Sequence, residues 1–181
     1  MDIDTPSNAE RLGQTYFFAF IDDDLGWDDV LAATEAHLIR DPRNRYALHN
    51  RAQALFARDR FAEAEQHYRA GLAEGADDSL PFYAFGQFLS LRKRPAEAAE
   101  MFREALRFEP EDAPLWRCLA YALGEAWRFP SAVAAFTRAI ELEPDFARTV
   151  LDRGWARALT GDMIGAVRDW RRAASLRKDS R

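Results

Sequence analysis

The feature of this sequence that most constrains its fold is a period of 34 residues. Pro110 and Pro144 lie one period apart, and Pro42 lies two periods before Pro110. Two columns of small residues keep this step: Ala52, Gly86, Ala120 and Gly154, and then Ala64, Ala98, Ala132 and Ala166. Three bulkier columns also keep it: Leu48, Phe82, Trp116 and Val150; Tyr68, Phe102, Phe136 and Trp170; Phe61, Pro95, Phe129 and Met163. Columns held in register over four copies indicate a repeat protein.

Within each copy the apolar residues have helical spacing. The stretches 82–89 and 98–106 each place their apolar residues on one helical face, and the polar segment 92–94 separates them. Pro95 and Pro130 suit the first turn of a helix, where a missing N–H costs nothing. Each copy is therefore predicted to be a helix, a tight turn and a second helix. Stacked copies bury faces that one pair cannot, and the small columns let backbones approach closely.

These columns resemble the tetratricopeptide repeat, in which W-x2-L-G-x2-Y is followed by A-x3-F and then P. The copy at 113–146 matches most fully, with Trp116, Leu119, Ala120, Leu123, Ala132, Phe136 and Pro144. The resemblance implies an all-α fold, a right-handed superhelical solenoid of antiparallel helix pairs. We expect a flexible terminus at 1–10 and a single domain at 11–181. Its repeats are expected at about 11–44 (degenerate), 45–78, 79–112, 113–146 and 147–181.

Both ends depart from the pattern. In the first copy bulky Phe18 occupies the small position, while its second helix is expected from Trp27 to Ile39, before Pro42. In the last copy Arg153 and Arg157 replace apolar residues, and a covered arginine without a partner is costly. We expect the last copy to act as a cap. Its final helix should turn Val167, Trp170 and Ala173 to the stack and Arg168, Arg171, Arg172 and Arg177 to water.

Composition argues against several classes of protein. A net charge of -5 is a poor basis for binding nucleic acid. The single cysteine, Cys118, permits no intramolecular disulfide and fits a reducing, cytoplasmic location. The apolar run at 16–21 is too short to cross a membrane, and no secretion signal is recognisable. Basic residues that are almost all arginine suggest a bacterial, GC-rich genome.

No pattern indicates catalysis. The histidines His37, His49 and His67 do not have zinc-ligand spacing, and Cys118 lies in no nucleophile motif. The acidic segment 22–26 fails to match a calcium loop, because its glycine stands at the wrong position. We therefore expect no enzyme activity, no cofactor and no metal.

The resemblance places a binding surface on the first helix of each pair, which lines the concave side in this family. With the family's buried columns assigned, the remaining positions there are Tyr46, His49, Gln53, Phe56, Tyr83, Gln87, Arg117, Tyr121 and Trp155. Aromatic anchors and amide side chains suit a peptide or a protein segment. The basic clamp by which some members hold a C-terminal carboxylate is not expected, because only Asn50 matches it.

The expected function is a protein-interaction module, an adaptor or scaffold with a peptide or protein in its concave groove. Two alternatives stay open: a dedicated chaperone or masking partner of one client, possibly a secreted one, and a regulatory subunit of an enzyme. We expect no nucleic-acid or membrane partner, and a monomer or a weak homo-oligomer. Residues 1–44 carry a net charge of -7 and residues 147–181 one of +5, which could favour head-to-tail association or be two solvated ends.

Overall fold

The computed structural model describes residues 26–179, and in that range the chain is helical throughout, without a strand. The helices are α1 (Trp27–Arg40), α2 (Arg45–Ala57), α3 (Phe61–Ala73), α4 (Leu80–Leu91), α5 (Pro95–Phe108), α6 (Ala113–Glu125), α7 (Phe129–Leu142), α8 (Ala147–Leu159) and α9 (Met163–Asp179). The predicted all-α fold of helix pairs is confirmed. The expectations for 1–10, for the helix of 11–25 and for the apolar run at 16–21 lie outside the described residues.

Each 34-residue interval from Arg45 onward holds one helix pair, and α1 is the second helix of the degenerate first copy. By their internal contacts the residues form two compact units, with the boundary between Pro81 and Phe82. In the first unit α2 packs against both α1 and α3. In the second unit each helix from α5 to α9 packs against the next. The expectation of a single domain stays a prediction.

Side chains cap several first helices at the same step of the repeat. Asn44 accepts a hydrogen bond from the backbone N–H of Ala47 at 2.9 Å, and Asp112 accepts one from Leu115 at 2.7 Å. Between them, Asp78 accepts one from Leu80 at 3.0 Å. An acidic or amide side chain at a helix N-terminus satisfies an otherwise unpaired N–H. These caps fix where α2, α4 and α6 begin.

The turn inside each pair has one backbone geometry in all four described copies. Its central residue is left-handed: Asp59, Lys93 and Trp127 have a φ of 59°, and Gly161 has a φ of 87°. The N–H of the following residue bonds to a carbonyl five positions earlier: Arg60 to Leu55 at 2.9 Å, Arg94 to Leu89 at 2.9 Å, Arg128 to Leu123 at 2.8 Å and Asp162 to Arg157 at 3.0 Å. This is the hydrogen bonding that ends a helix through a left-handed residue.

The small and aromatic columns pack directly on each other in the second unit. A Cβ atom at Gly86 would lie 2.7 Å from the ring of Phe102, and one at Gly154 would lie 2.5 Å from the indole nitrogen of Trp170. Such distances leave no room for a methyl group. The glycines thus let the rings of the second helices touch the backbones of the first helices.

The last pair is joined by ionic contacts. Arg153 of α8 and Asp169 of α9 form two hydrogen bonds, at 2.9 and 2.8 Å, and Arg157 bonds to the same carboxylate at 2.9 Å. Arg153 also donates to the hydroxyl of Thr137 at 3.2 Å. The covered arginines therefore have the partner that their burial requires.

The final helix follows most of its predicted orientation. Ala173 is buried and Trp170 is half-buried, while Arg168, Arg171, Arg172 and Arg177 are exposed as expected. The expectation for Val167 is wrong, because 38% of that residue remains exposed. Ile164, three residues earlier on the same side of the helix, is 77% exposed.

Candidate binding groove

Residues of the first helices of the second unit line two adjoining cavities. One, of about 330 Å³, lies along α4 and α6 and includes Gln87, Leu91 and Cys118. The other, of about 310 Å³, lies along α6 and α8 and includes Trp155 and Leu159. Tyr121 and Glu125 line both cavities. We call the two cavities together the Tyr121 groove.

Tyr121 forms a fixed wall between the two cavities. Its hydroxyl donates a hydrogen bond to the carboxylate of Asp152, and Arg148 donates to both oxygens of that carboxylate, at 3.1 and 2.9 Å. The ring of Phe136 meets the Tyr121 ring edge-on at 5.3 Å. Burial and the Asp152 carboxylate raise the pKa of Tyr121 to about 12. Tyr121 is thus a neutral donor, held in place but 42% exposed.

Trp155 supplies the largest exposed aromatic surface of the groove. Its ring centroid lies 4.8 Å from that of Trp170, at an interplanar angle of 52°. The residue is nevertheless 58% exposed. An aromatic ring supported on one side and open on the other offers contact area at low entropic cost. Trp155 is therefore available to a ligand without rearrangement of α8.

Gln87 and Tyr83 form a hydrogen-bonded pair on α4. The Gln87 amide nitrogen donates to the Tyr83 hydroxyl at 2.5 Å, and the Tyr83 ring lies 6.1 Å from that of Phe102. Burial raises the pKa of Tyr83. The carbonyl oxygen of exposed Gln87 can still accept a hydrogen bond from a ligand backbone.

The corresponding positions of the first unit are less accessible. His49 and Gln53 are joined by a hydrogen bond of 3.0 Å, but His49 is only 2% exposed. Its ring meets that of Tyr68 edge-on at 5.7 Å, and burial lowers the pKa of His49 to about 3. His49 is therefore a neutral core side chain. The expectation that it faces a partner is wrong, because the side chain is buried. Gln53 itself is half-buried.

Other expected contact residues are held by neighbours. The Tyr46 hydroxyl donates to Asp77 at 3.3 Å, and the Arg45 guanidinium lies 4.8 Å from the Tyr46 ring centroid. Half-buried Phe56 has its ring 5.9 Å from that of Phe61. Both rings therefore pack against residues of the first unit, and little of their surface is open to a partner.

Arg117 does not line the Tyr121 groove. It forms an ion pair with Glu143 at 2.5 Å and stacks over the ring of Phe146 at 4.5 Å. These contacts tie α6 to the segment that precedes α8. Its positive charge is already neutralised by the carboxylate of Glu143.

Sequence reasoning missed residues that the structure places at the groove. Glu125 and Cys118 line it, and a third cavity of about 550 Å³ beside it is lined by Trp127, Phe129 and Lys93. Trp127 lies in the left-handed turn between α6 and α7, and it is 80% exposed. The step of 34 residues could have identified Glu125, because it shares a column with Leu91 and Leu159.

The family model for the tetratricopeptide repeat matches residues 27–79 and 119–180, which is more than half of the chain. The chain belongs to the tetratricopeptide repeat family. No curated protein sequence matches it.

Solved structures of other tetratricopeptide repeat proteins share the fold. YrrB, described as a TPR protein with an unusual peptide-binding site, superposes with a TM-score of 0.76 at 18% identity, over 84% of this chain and 79% of YrrB. MamA superposes with a TM-score of 0.75 at 17% identity, over 85% of this chain and 90% of MamA. MamA from Desulfovibrio magneticus RS-1 gives 0.73 at 16% identity, over 84% and 86%. Identities this low establish the fold only.

Tetratricopeptide repeat proteins are generally interaction modules. Residues 26–179 contain no cluster of His, Cys, Asp and Glu that could hold a metal, and no helix among them could cross a membrane. Burial raises the pKa of the Cys118 thiol, which disfavours the reactive thiolate.

Proposed function

We propose that this tetratricopeptide repeat protein holds a peptide or a protein segment in the Tyr121 groove and acts as an adaptor or scaffold. The observation that carries the proposal is the pair of open rings, Tyr121 at 42% and Trp155 at 58% exposure, on neighbouring first helices. Tyrosine and tryptophan are enriched among the residues that supply most of the binding energy at protein interfaces. Such rings bind without a large loss of side-chain entropy.

The shape of the groove favours an extended ligand. Two cavities of about 330 and 310 Å³ adjoin at Tyr121 and run past α4, α6 and α8. An extended chain can place alternate side chains in successive cavities, while the Gln87 amide pairs with its backbone. A compact small molecule would occupy only one cavity.

The groove is tested by selecting a phage-displayed library of random nonapeptides on the full chain. The variant Tyr121→Ala/Trp155→Ala removes both rings. Ile164→Ala is the matched control, since Ile164 is 77% exposed in the same unit and lines none of the three cavities. We expect the wild type and the control to enrich the same peptides and the double variant to retain none of them. Equal retention by the double variant would exclude this groove.

Two further measurements locate the bound peptide and verify the fold. Far-UV circular dichroism and urea unfolding establish that the double variant is still folded. Cys118 is the only cysteine of the chain and lines the groove, so a bound peptide should slow its alkylation by iodoacetamide. A peptide that binds without protecting Cys118 occupies another surface.

The finer expectations from the sequence accompany this proposal. We propose a protein without catalytic activity of its own, located in a bacterial cytoplasm, as a monomer or weak homo-oligomer. Turnover in a broad activity screen of the purified chain would refute the first of these. Sedimentation equilibrium tests the last.

A further inference from the structure

We infer that the peptide in the Tyr121 groove carries a lysine or arginine between apolar side chains, and that Glu125 selects this cation. The inference rests on the proposed function, since it names the ligand class of the same groove. It starts from one residue that lines all three of the cavities described above, Glu125.

The carboxylate of Glu125 is exposed and has no internal partner. Among residues 26–179 no side-chain hydrogen bond or ion pair involves Glu125. The nearest cation along the chain, Arg128, lies 3.8 Å from Glu100 instead. The Glu125 charge is therefore available to a cation supplied by a ligand.

Glu125 is also an exception to the local rules of the repeat. Steps of 34 residues from it reach Leu91 and Leu159, and a further step reaches Ala57, so this column is apolar in the other three copies from residue 45 onward. Glu125 is the last residue of α6, where the helix dipole disfavours a negative charge. A residue that breaks both the pattern and the helix preference is most simply explained by a contact outside the fold.

The surroundings of Glu125 define the neighbours of the cation. Leu91 is 64% exposed at the α4 side of the groove, and Leu159 is 61% exposed at the α8 side. Each leucine belongs to a different cavity, and Glu125 belongs to both. A ligand whose cation meets Glu125 would thus place an apolar side chain against a leucine in each direction.

No other charge of the groove opposes a basic ligand. No lysine or arginine among the described residues lines either cavity, and the Asp152 carboxylate is already bonded to Arg148 and Tyr121. Lys93 lines only the third cavity, outside the groove. An acidic peptide would therefore meet repulsion from Glu125 without compensation.

The test compares peptides selected by the wild type, Glu125→Gln, Glu125→Lys and the control Glu111→Gln. Glu111 is an exposed carboxylate before α6 that lines none of the cavities. We expect Lys and Arg to be enriched beside apolar residues for the wild type and the control, this bias to vanish for Glu125→Gln, and Asp and Glu to replace it for Glu125→Lys.

Affinities of one selected peptide and its Lys-to-Met or Arg-to-Met version give the size of the effect. For the wild type we expect about a three- to five-fold preference for the cation, as for an exposed ion pair, and less than about two-fold for Glu125→Gln. A wild-type selection without basic bias, or an unchanged bias in Glu125→Lys, would overturn the inference but leave the groove intact. Retention of the same peptides by Tyr121→Ala/Trp155→Ala, or no enrichment at all, would instead refute the proposed function and the inference with it.

Discussion

Asp169 accepts two hydrogen bonds from the Arg153 guanidinium, at 2.8 and 2.9 Å, in a site where Asp169 is 2% and Arg153 8% exposed. With the third bond from Arg157, this carboxylate holds α8 and α9 together, whereas the two preceding copies have Leu119 and Phe85 at the Arg153 position. Buried charges lose their hydration, so such a site is stable only while every partner is present.

Removing the carboxylate by Asp169→Ala should therefore lower the free energy of unfolding by about 3–5 kcal/mol, since two arginines lose their buried partner. Urea unfolding monitored by circular dichroism measures the change. Glu141→Gln is the control, because Glu141 pairs with Arg138 on the surface at 2.9 Å. That variant should change the free energy by less than about 1 kcal/mol. A similar loss in both would show that the Asp169 site has no special role.

Gly154→Ala should also destabilise the last pair, because a Cβ there would lie 2.5 Å from the Trp170 indole nitrogen. We expect a loss of about 1–3 kcal/mol in the free energy of unfolding, as for other overpacked sites. Gly124→Ala is the matched change, since nothing lies within 4 Å of a Cβ at that helical glycine. The better helix propensity of alanine should stabilise it by up to about 1 kcal/mol. Opposite signs in thermal unfolding confirm the packing, and equal signs contradict it.

The left-handed turn residues give a third prediction. Trp127→Asn should raise the free energy of unfolding by about 0.5–1 kcal/mol, because asparagine tolerates the left-handed region better than a bulky residue does. Gly161→Ala should lower it by about 1 kcal/mol, because Gly161 has a φ of 87°. Stabilisation by Gly161→Ala would argue against the turn geometry. The Trp127→Asn variant also lacks one exposed indole, and its lower tryptophan emission verifies the substitution independently.

The buried imidazole of His49 predicts a pH dependence of stability. Its pKa falls from 6.5 to about 3 on folding, so between those two pH values the unfolded chain takes up the proton and the folded chain does not. The contribution of His49 is thus complete above pH 6.5 and is lost as the pH falls, by about 2 kcal/mol at pH 5.

Urea unfolding at pH 7.5 and 5.0 measures this loss, and His49→Gln should reduce it. The control is His67→Gln, whose imidazole is half-buried and has a pKa lowered by burial and by Arg51. It should remove a smaller part of the pH dependence. If His49→Gln keeps the full pH dependence, the protonation of His49 is not its source.

The sequence predicted the helix pairs well because the residues that repeat every 34 positions are those that pack against each other. The small positions at Gly86 and Gly154 and the rings at Phe102 and Trp170 are complementary, so their common step specifies both helices and their contact. Proline at Pro95 and Pro130 then indicates where second helices begin. Such local signals act within one copy and need no knowledge of the rest.

The groove was predicted less well, because position in a repeat does not determine exposure. His49 and Tyr83 share a column, yet His49 is buried and Tyr83 is only half-buried. Arg117 was expected in the groove but pairs with Glu143. The two residues are 26 positions apart, and helical periodicity does not predict a contact at that separation. The buried partner of Arg153 was likewise not identifiable, since charge pairing depends on side-chain direction in three dimensions.

The turn at Asp59, Lys93, Trp127 and Gly161 has a consequence for engineering. Main-chain atoms alone close it, so its hydrogen bonds do not depend on which side chain stands there. A block such as 112–145 therefore carries its own stop signal and begins with its own N-terminal cap, Asp112. Copies of that block can be inserted in tandem, lengthening the protein by whole units without new loop designs, and an exposed ring or a chemical label can be installed at the same place in each.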